Sequence, residues 1–188
     1  MFADKIFNNQ QIENEPISTN PDNRKKVLCI VGMEEPLEQW LNSASHFLPE
    51  QIMVLKSYGP VISEPYDSLM RNIIIAVYQE NVEEIFVIGS ADRNESISDP
   101  SNLISKVIQT KIPAVKIQTV EYLFKHCFPG FTANDMAQWI EGSKTVTDGI
   151  KQSVNLIRRH PLMPSEIRVY GLLIDTVNGV STRVVDHQ

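Results

Sequence analysis

Cysteine is scarce in this sequence: Cys29 and Cys127 are the only two in 188 residues. Neither belongs to a Cys-x-x-Cys pair, which excludes a disulfide framework and a zinc ribbon. Two bare thiols suit a reducing compartment, and the expectation is a cytoplasmic protein. Histidine is also sparse, with four in all. His126 stands beside Cys127, but adjacent residues rarely aim at one ion and no companion ligand lies at the usual spacing. The pair is expected on a helix with one buried face. His46 is placed at a helix end, and His160 and His187 at the surface. No apolar run approaches the roughly 18 residues that a membrane span needs. Residues 1–21 lack a basic stretch followed by an apolar one, so no signal peptide is read there. Positive charge is the minority, 17 basic against 23 acidic residues for a net charge of −6. That argues against nucleic acid or an anionic membrane as the main partner.

What is present is the ordinary apolar content of a globular chain, enough for one domain with a full core. Residues 1–26 are rich in Asn, Gln, Glu and Pro and read as a flexible tail or an arm; residues 27–188 read as the single domain. Two stretches organise it. Glu84-Ile85-Phe86-Val87-Ile88-Gly89-Ser90-Ala91-Asp92-Arg93 and Val27-Leu28-Cys29-Ile30-Val31-Gly32-Met33-Glu34-Glu35-Pro36 are apolar β-formers that stop at a glycine and then present polar groups. A buried strand of a parallel sheet delivers side chains to a site at its C-terminal end in this way. If the two strands are neighbours, Gly32, Glu34, Ser90, Asp92 and Arg93 converge on one crevice.

The remaining elements alternate. Ile52–Leu55 predicts a strand. Asp67–Glu80 predicts a helix on the spacing of Leu69, Ile73 and Val77, capped by Asp67 or Ser68. Asp99-Pro100 opens another helix. Val115–Ile117 predicts a short strand, Tyr122–Phe128 a helix, and Thr132–Asp135 a cap ahead of Met136–Ile140. Lys144–Arg159 predicts a strong helix that ends at His160-Pro161. Ile167–Asp175, Asn178-Gly179 and Ser181–Val185 read as a closing hairpin. The pattern is α/β, a mostly parallel central sheet flanked by helices and closed by an antiparallel C-terminal hairpin. Cys29 is expected as a core thiol, and Trp40 and Trp139 as core or subunit-contact residues.

Several of these segments resemble the β-class carbonic anhydrases. Ser153-Val154-Asn155-Leu156-Ile157-Arg158-Arg159-His160-Pro161-Leu162-Met163-Pro164 with Val169-Tyr170-Gly171-Leu172-Leu173-Ile174-Asp175 is similar to that family's late helix and closing strand. Asn178-Gly179 falls at its hairpin, and Ser68 to Gly89 at the segment leading to its second metal motif. The resemblance spans about Lys26 to Val185 and implies that fold, a dimer at least, and residues 1–26 as an arm. It also implies where zinc ligands should stand. The family's first motif is cysteine, aspartate two residues on and arginine two further; here those positions read Gly32, Glu34 and Pro36. Its second motif is histidine and, three residues later, cysteine; here Ser90 and Arg93.

A catalytic zinc needs three protein ligands and an open position for water. Glycine and serine offer no comparable ligand, and arginine repels a cation. The expectation is therefore a chain with no zinc and no other cofactor, silent in carbon dioxide hydration. It would act by binding: as a homodimer or higher homo-oligomer, with a protein partner in inorganic-carbon handling, or with a small anion such as bicarbonate. Arg93 would take the vacated place and pair with Glu34 or Asp92; a simple surface position for Arg93 is the alternative. The competing function is an enzyme of different, metal-independent chemistry, with Glu34, Asp92 and Arg93 as acid, base and anion clamp. Gly89-Ser90-Ala91 lacks the spaced glycines of a nucleophile elbow, which weakens a hydrolase reading.

Overall fold

A computed structural model describes residues 26–33, 51–58, 62–91, 106–107, 109–110, 112–127, 139–140, 142–143, 145–178 and 180–185. Five strands form one sheet: β1 Lys26–Gly32, β2 Ile52–Ser57, β3 Val82–Ser90, β4 Arg168–Asp175 and β5 Val180–Val185. Their spatial order is β2-β1-β3-β4-β5. The first four are parallel, and β5 returns antiparallel along β4. From β1 the chain passes to β2 on one side and then to β3 on the other. The strand order therefore reverses at β1, and an open α/β sheet places ligands beyond the strand ends at such a point.

The central strands are apolar on both faces because both faces are covered. On one face Leu28, Ile30, Ile85, Val87 and Val169 form a core with helix α1 (Ser68–Glu80) and helix α3 (Val146–Arg159), through Ile73, Val77, Ile150, Val154 and Ile157. On the other, Val27, Cys29, Val31, Phe86, Ile88, Tyr170, Leu172 and Ile174 form a second cluster. A register shift where Val27 pairs Glu84 after Lys26 pairs Val82 sets Glu84 on the second face with Phe86 and Ile88. There Glu84, only 3% exposed, pairs with Arg168 at 2.9 Å across β3 and β4. Further along this face Phe86 stacks on Tyr170, and the Arg183 guanidinium lies over the Tyr170 ring.

The helix signals work as their chemistry requires. The Asp67 carboxylate accepts the Met70 N–H at 2.7 Å and starts α1. Asn81, in the left-handed conformation at φ 56°, ends it. Thr145 caps α3, one residue beyond the expected start at Lys144, by accepting the Asp148 N–H at 3.0 Å. The Ser153 hydroxyl, buried in α3, accepts the Ile62 N–H at 2.8 Å and fastens the segment ahead of α1.

Two expectations fail here, and others fail among the candidate residues. Val115–Ile117 is not a strand; it is the first turn of helix α2 (Ala114–Cys127). The β-branched residues suggested a strand, but Pro113 begins a helical turn by accepting the Lys116 N–H at 2.8 Å. Within α2 the Thr119 hydroxyl donates back to the Val115 carbonyl. The second failure is His160, which is buried, not surface-exposed. Its Nδ1 accepts the Leu162 N–H at 3.2 Å, and Tyr66 packs edge-on against its ring. A histidine just past a helix end looks exposed until the incoming segment covers it.

Candidate functional site

The candidate site lies at the C-terminal ends of β1 and β3, which are direct neighbours. Their pairing runs to Val31 opposite Ile88, so the next residues, Gly32 and Gly89, stand level. Ser90 lies one step beyond, level with Ile174 of β4, and the chain stays tied to β4 as the Ala91 N–H donates to the Ile174 carbonyl at 2.7 Å. Alternation along each strand puts Gly32 on the helix-covered face of Leu28 and Ile30, and Ser90 on the face of Phe86 and Ile88. Gly32 and Ser90 are buried, whereas Met33 is exposed, so the ends of these strands lie just beneath the surface.

The structure thus brings Gly32 and Ser90 to adjoining strand ends but on opposite faces of the sheet, so the expected convergence holds for the strands and not for one face. Glu34, Pro36, Asp92 and Arg93 lie outside the described residues, as do His46, Trp40 and His187. Among the described residues, no three His, Cys, Asp or Glu side chains gather in a way that could hold a metal ion. Cys29 is buried in β1, and burial pushes its thiol up to about 12, so it stays protonated and inert at neutral pH. The His126 ring lies tilted against Tyr122, centroids 4.5 Å apart, on an exposed stretch of α2. The pair is helix-borne as expected, but no described side chain of α2 is fully buried. Trp139 is half exposed against Phe124 and is not a core residue.

One carboxylate that sequence reasoning did not single out stands at this end of the sheet. Asp175 follows Ile174, the strand partner of Ser90. It is directed into its own turn. Oδ1 accepts the Val177 and Asn178 N–H groups at 3.0 Å, and Oδ2 accepts the Asn178 side-chain amide at 2.7 Å. The Asn178 backbone bond, then its side-chain bond, hold the Asp175 carboxyl below its ordinary value of 3.8. The spacing Asp-x-x-Asn-Gly was the available signal. It marks an aspartate committed to a hairpin, not to a ligand.

No protein-family model matches the chain. Among curated proteins, it is 38% identical over 160 residues to "Putative carbonic anhydrase-like protein YbcF" of Bacillus subtilis, covering 85% of this chain and 87% of the relative. It is 30% identical over 182 residues to "Putative carbonic anhydrase YtiB" of the same organism, covering 97% and 92%. Among solved structures, a β-carbonic anhydrase of Trichomonas vaginalis superposes with a TM-score of 0.69 at 20% identity, covering 93% of this chain and 90% of that one. A carbon disulfide hydrolase in its apo form superposes at 0.56 with 19% identity, covering 84% and 77%. One fold therefore carries different reactions, and the residues at the strand ends must decide what each chain does.

Proposed function

Because this chain belongs to the β-class carbonic anhydrase-like family, we propose that it keeps the scaffold without the zinc chemistry and works by binding. The observation that carries this reading is the pair of adjoining strand ends. By the resemblance, Gly32 stands where the family has its first cysteine and Ser90 where it has its histidine, and the strands that end there are neighbours. Zinc bound in such a fold supplies a water acidic enough to ionise near neutral pH. The residues here do not fit it: glycine brings no donor, serine brings a neutral hydroxyl, and the second cysteine position holds Arg93. No reaction step is derived through a metal.

In place of the ion, Arg93 brings one positive charge, which Glu34 or Asp92 neutralises in a partly desolvated crevice. Backbone N–H groups at the Gly32 and Gly89 strand ends would then hold a small anion, bicarbonate among them. A homo-oligomer agrees with the assembly of one fold neighbour, a β-carbonic anhydrase described as tetrameric.

The test is stopped-flow carbon dioxide hydration with added zinc, combined with metal analysis of the purified protein. The expected result is a rate equal to buffer and zinc far below one per chain. Near-stoichiometric zinc with accelerated hydration would overturn the proposal. Turnover of another substrate without metal would favour the chemistry of Glu34, Asp92 and Arg93 over simple binding.

A further inference from the structure

Helix α2 stands apart from the core. None of its described side chains is fully buried, and none belongs to either core cluster. Its residues still sort by side. Ile117, Val120 and Phe124 are half-buried and share the side that leans on the protein. On the opposite side Val115, Thr119, Tyr122 and His126 recur at the spacing of a helical stripe, and all four are exposed. Val115 is 68% exposed and Tyr122 60%, with Leu123 at 37% on the margin. The Thr119 hydroxyl is engaged within the helix, donating to the Val115 carbonyl at 2.8 Å, and the His126 ring lies against Tyr122. A helix with apolar groups on two sides needs cover on both, and the protein covers one.

Charge indicates what covers the other. Residues 106–127 carry four lysines and one glutamate, a net charge of +3 in a chain of net −6. Successive residues step round a helix by about 100°. Lys116 and Lys125, both exposed, therefore fall to either side of the outward stripe, and Glu121 falls farther round toward the half-buried side. An uncharged row with an aromatic at its centre, flanked by lysines, is the layout of a helix that lies in the plane of an anionic lipid surface. The row enters the headgroup layer, and the lysine stems carry their ammonium groups to the phosphates. The outward side is a single convex helix, a shape that a bilayer accommodates and a folded partner must be hollowed to match. Among the described residues no helix is long and apolar enough to cross a membrane, so α2 lies on such a surface and does not span it.

We propose that α2 is a peripheral docking helix for anionic lipid surfaces, seated through Val115, Thr119, Tyr122 and His126 and held by Lys116 and Lys125. The negative charge of the remaining chain opposes contact elsewhere, so the association is weak, reversible and oriented. This assignment is independent of what the strand ends bind.

The test is co-sedimentation of the full chain with vesicles of phosphatidylcholine and phosphatidylglycerol in equal parts, compared with vesicles of phosphatidylcholine alone. The chain should sediment with the mixed vesicles at low salt, stay in solution with the neutral ones, and be released by high salt. Lys116→Glu with Lys125→Glu should weaken binding more than about tenfold. Tyr122→Ala should weaken it without changing the assembly state in sedimentation velocity. Lys151→Glu with Arg159→Glu, two exposed cations of α3, should leave it unchanged. All five positions are exposed, so folding is not at stake. No binding to the mixed vesicles, or equal loss from the α3 pair, would overturn the proposal. A change of assembly with Tyr122→Ala would overturn it in favour of a second copy on this face. Binding to poly-glutamate as tight as to the mixed vesicles would overturn it in favour of an acidic protein.

Discussion

At the scale of single residues, the chain shows how one carboxylate can be read two ways. Asp175 stands beside the candidate crevice and is acidic beyond its ordinary value, the combination that usually nominates a functional group. Its three hydrogen bonds all close the β4–β5 turn, so the depressed pKa is a statement about folding. The sign follows from the direction. A carboxyl held below its unfolded value contributes stability above that unfolded value, and the contribution is lost as pH falls through the folded one. The Asp175→Asn chain should therefore lose less stability than the parent between about pH 5 and pH 2, the range in which such carboxylates protonate. Urea denaturation at a series of pH values measures it, and identical slopes for the two chains would count against the turn as the cause. Asp175 is part-exposed, so solvent screening keeps the effect modest in absolute size.

At the scale of elements, the tightest constraint is the seating of α3 on β4. A Cβ built on Gly171 would lie 2.6 Å from Ile150 Cγ2 and 3.2 Å from Val185 Cγ2. Ile150 is fully buried, so it has no free space to yield into. Gly171→Ala should cost about 1–3 kcal/mol, the usual penalty for overpacking a filled core. The denaturation midpoint should drop at unchanged slope; an unchanged midpoint would mean that α3 shifts freely. This contact also marks the limit of what was legible beforehand. The strands β1, β3 and β4, the helices α1 and α3, and the hairpin were all readable, because apolar period, caps and Asn-Gly turn chemistry agree there. The need for glycine at 171 was not, since it arises from a side chain 21 residues away. Val115–Ile117 misled for the opposite reason: local β-branching pointed to a strand, while Pro113 and the downstream helical sequence decided the conformation. His160 misled because its burial depends on tertiary packing, Tyr66 of another segment being one contact, which the position past a helix end does not reveal.

At the scale of the whole molecule, the question is whether the scaffold alone preserves the means to grip a dication. The adjacency of β1 and β3 was foreseeable only as a condition; the sheet order fulfils it and brings Gly32 and Ser90 to neighbouring ends. Which residues stand in for the family's ligands rests on aligning motif positions by the resemblance, and of these the described residues include only Gly32 and Ser90. If the scaffold is intact, returning the ligand types should return the metal. The five-fold variant Gly32→Cys, Glu34→Asp, Pro36→Arg, Ser90→His, Arg93→Cys places two thiolates, an imidazole and the aspartate–arginine pair at the family's positions. It should purify with about one zinc per chain by elemental analysis. Because a metal that binds only the folded state stabilises it, added zinc should raise the melting temperature of the variant and leave that of the parent unchanged. A variant that folds, judged by its far-ultraviolet dichroism, yet holds no zinc would show that the strand ends themselves have moved apart from the family's geometry. In that case the loss of metal would lie in the scaffold as well as in the side chains, and binding through a preserved crevice would no longer follow.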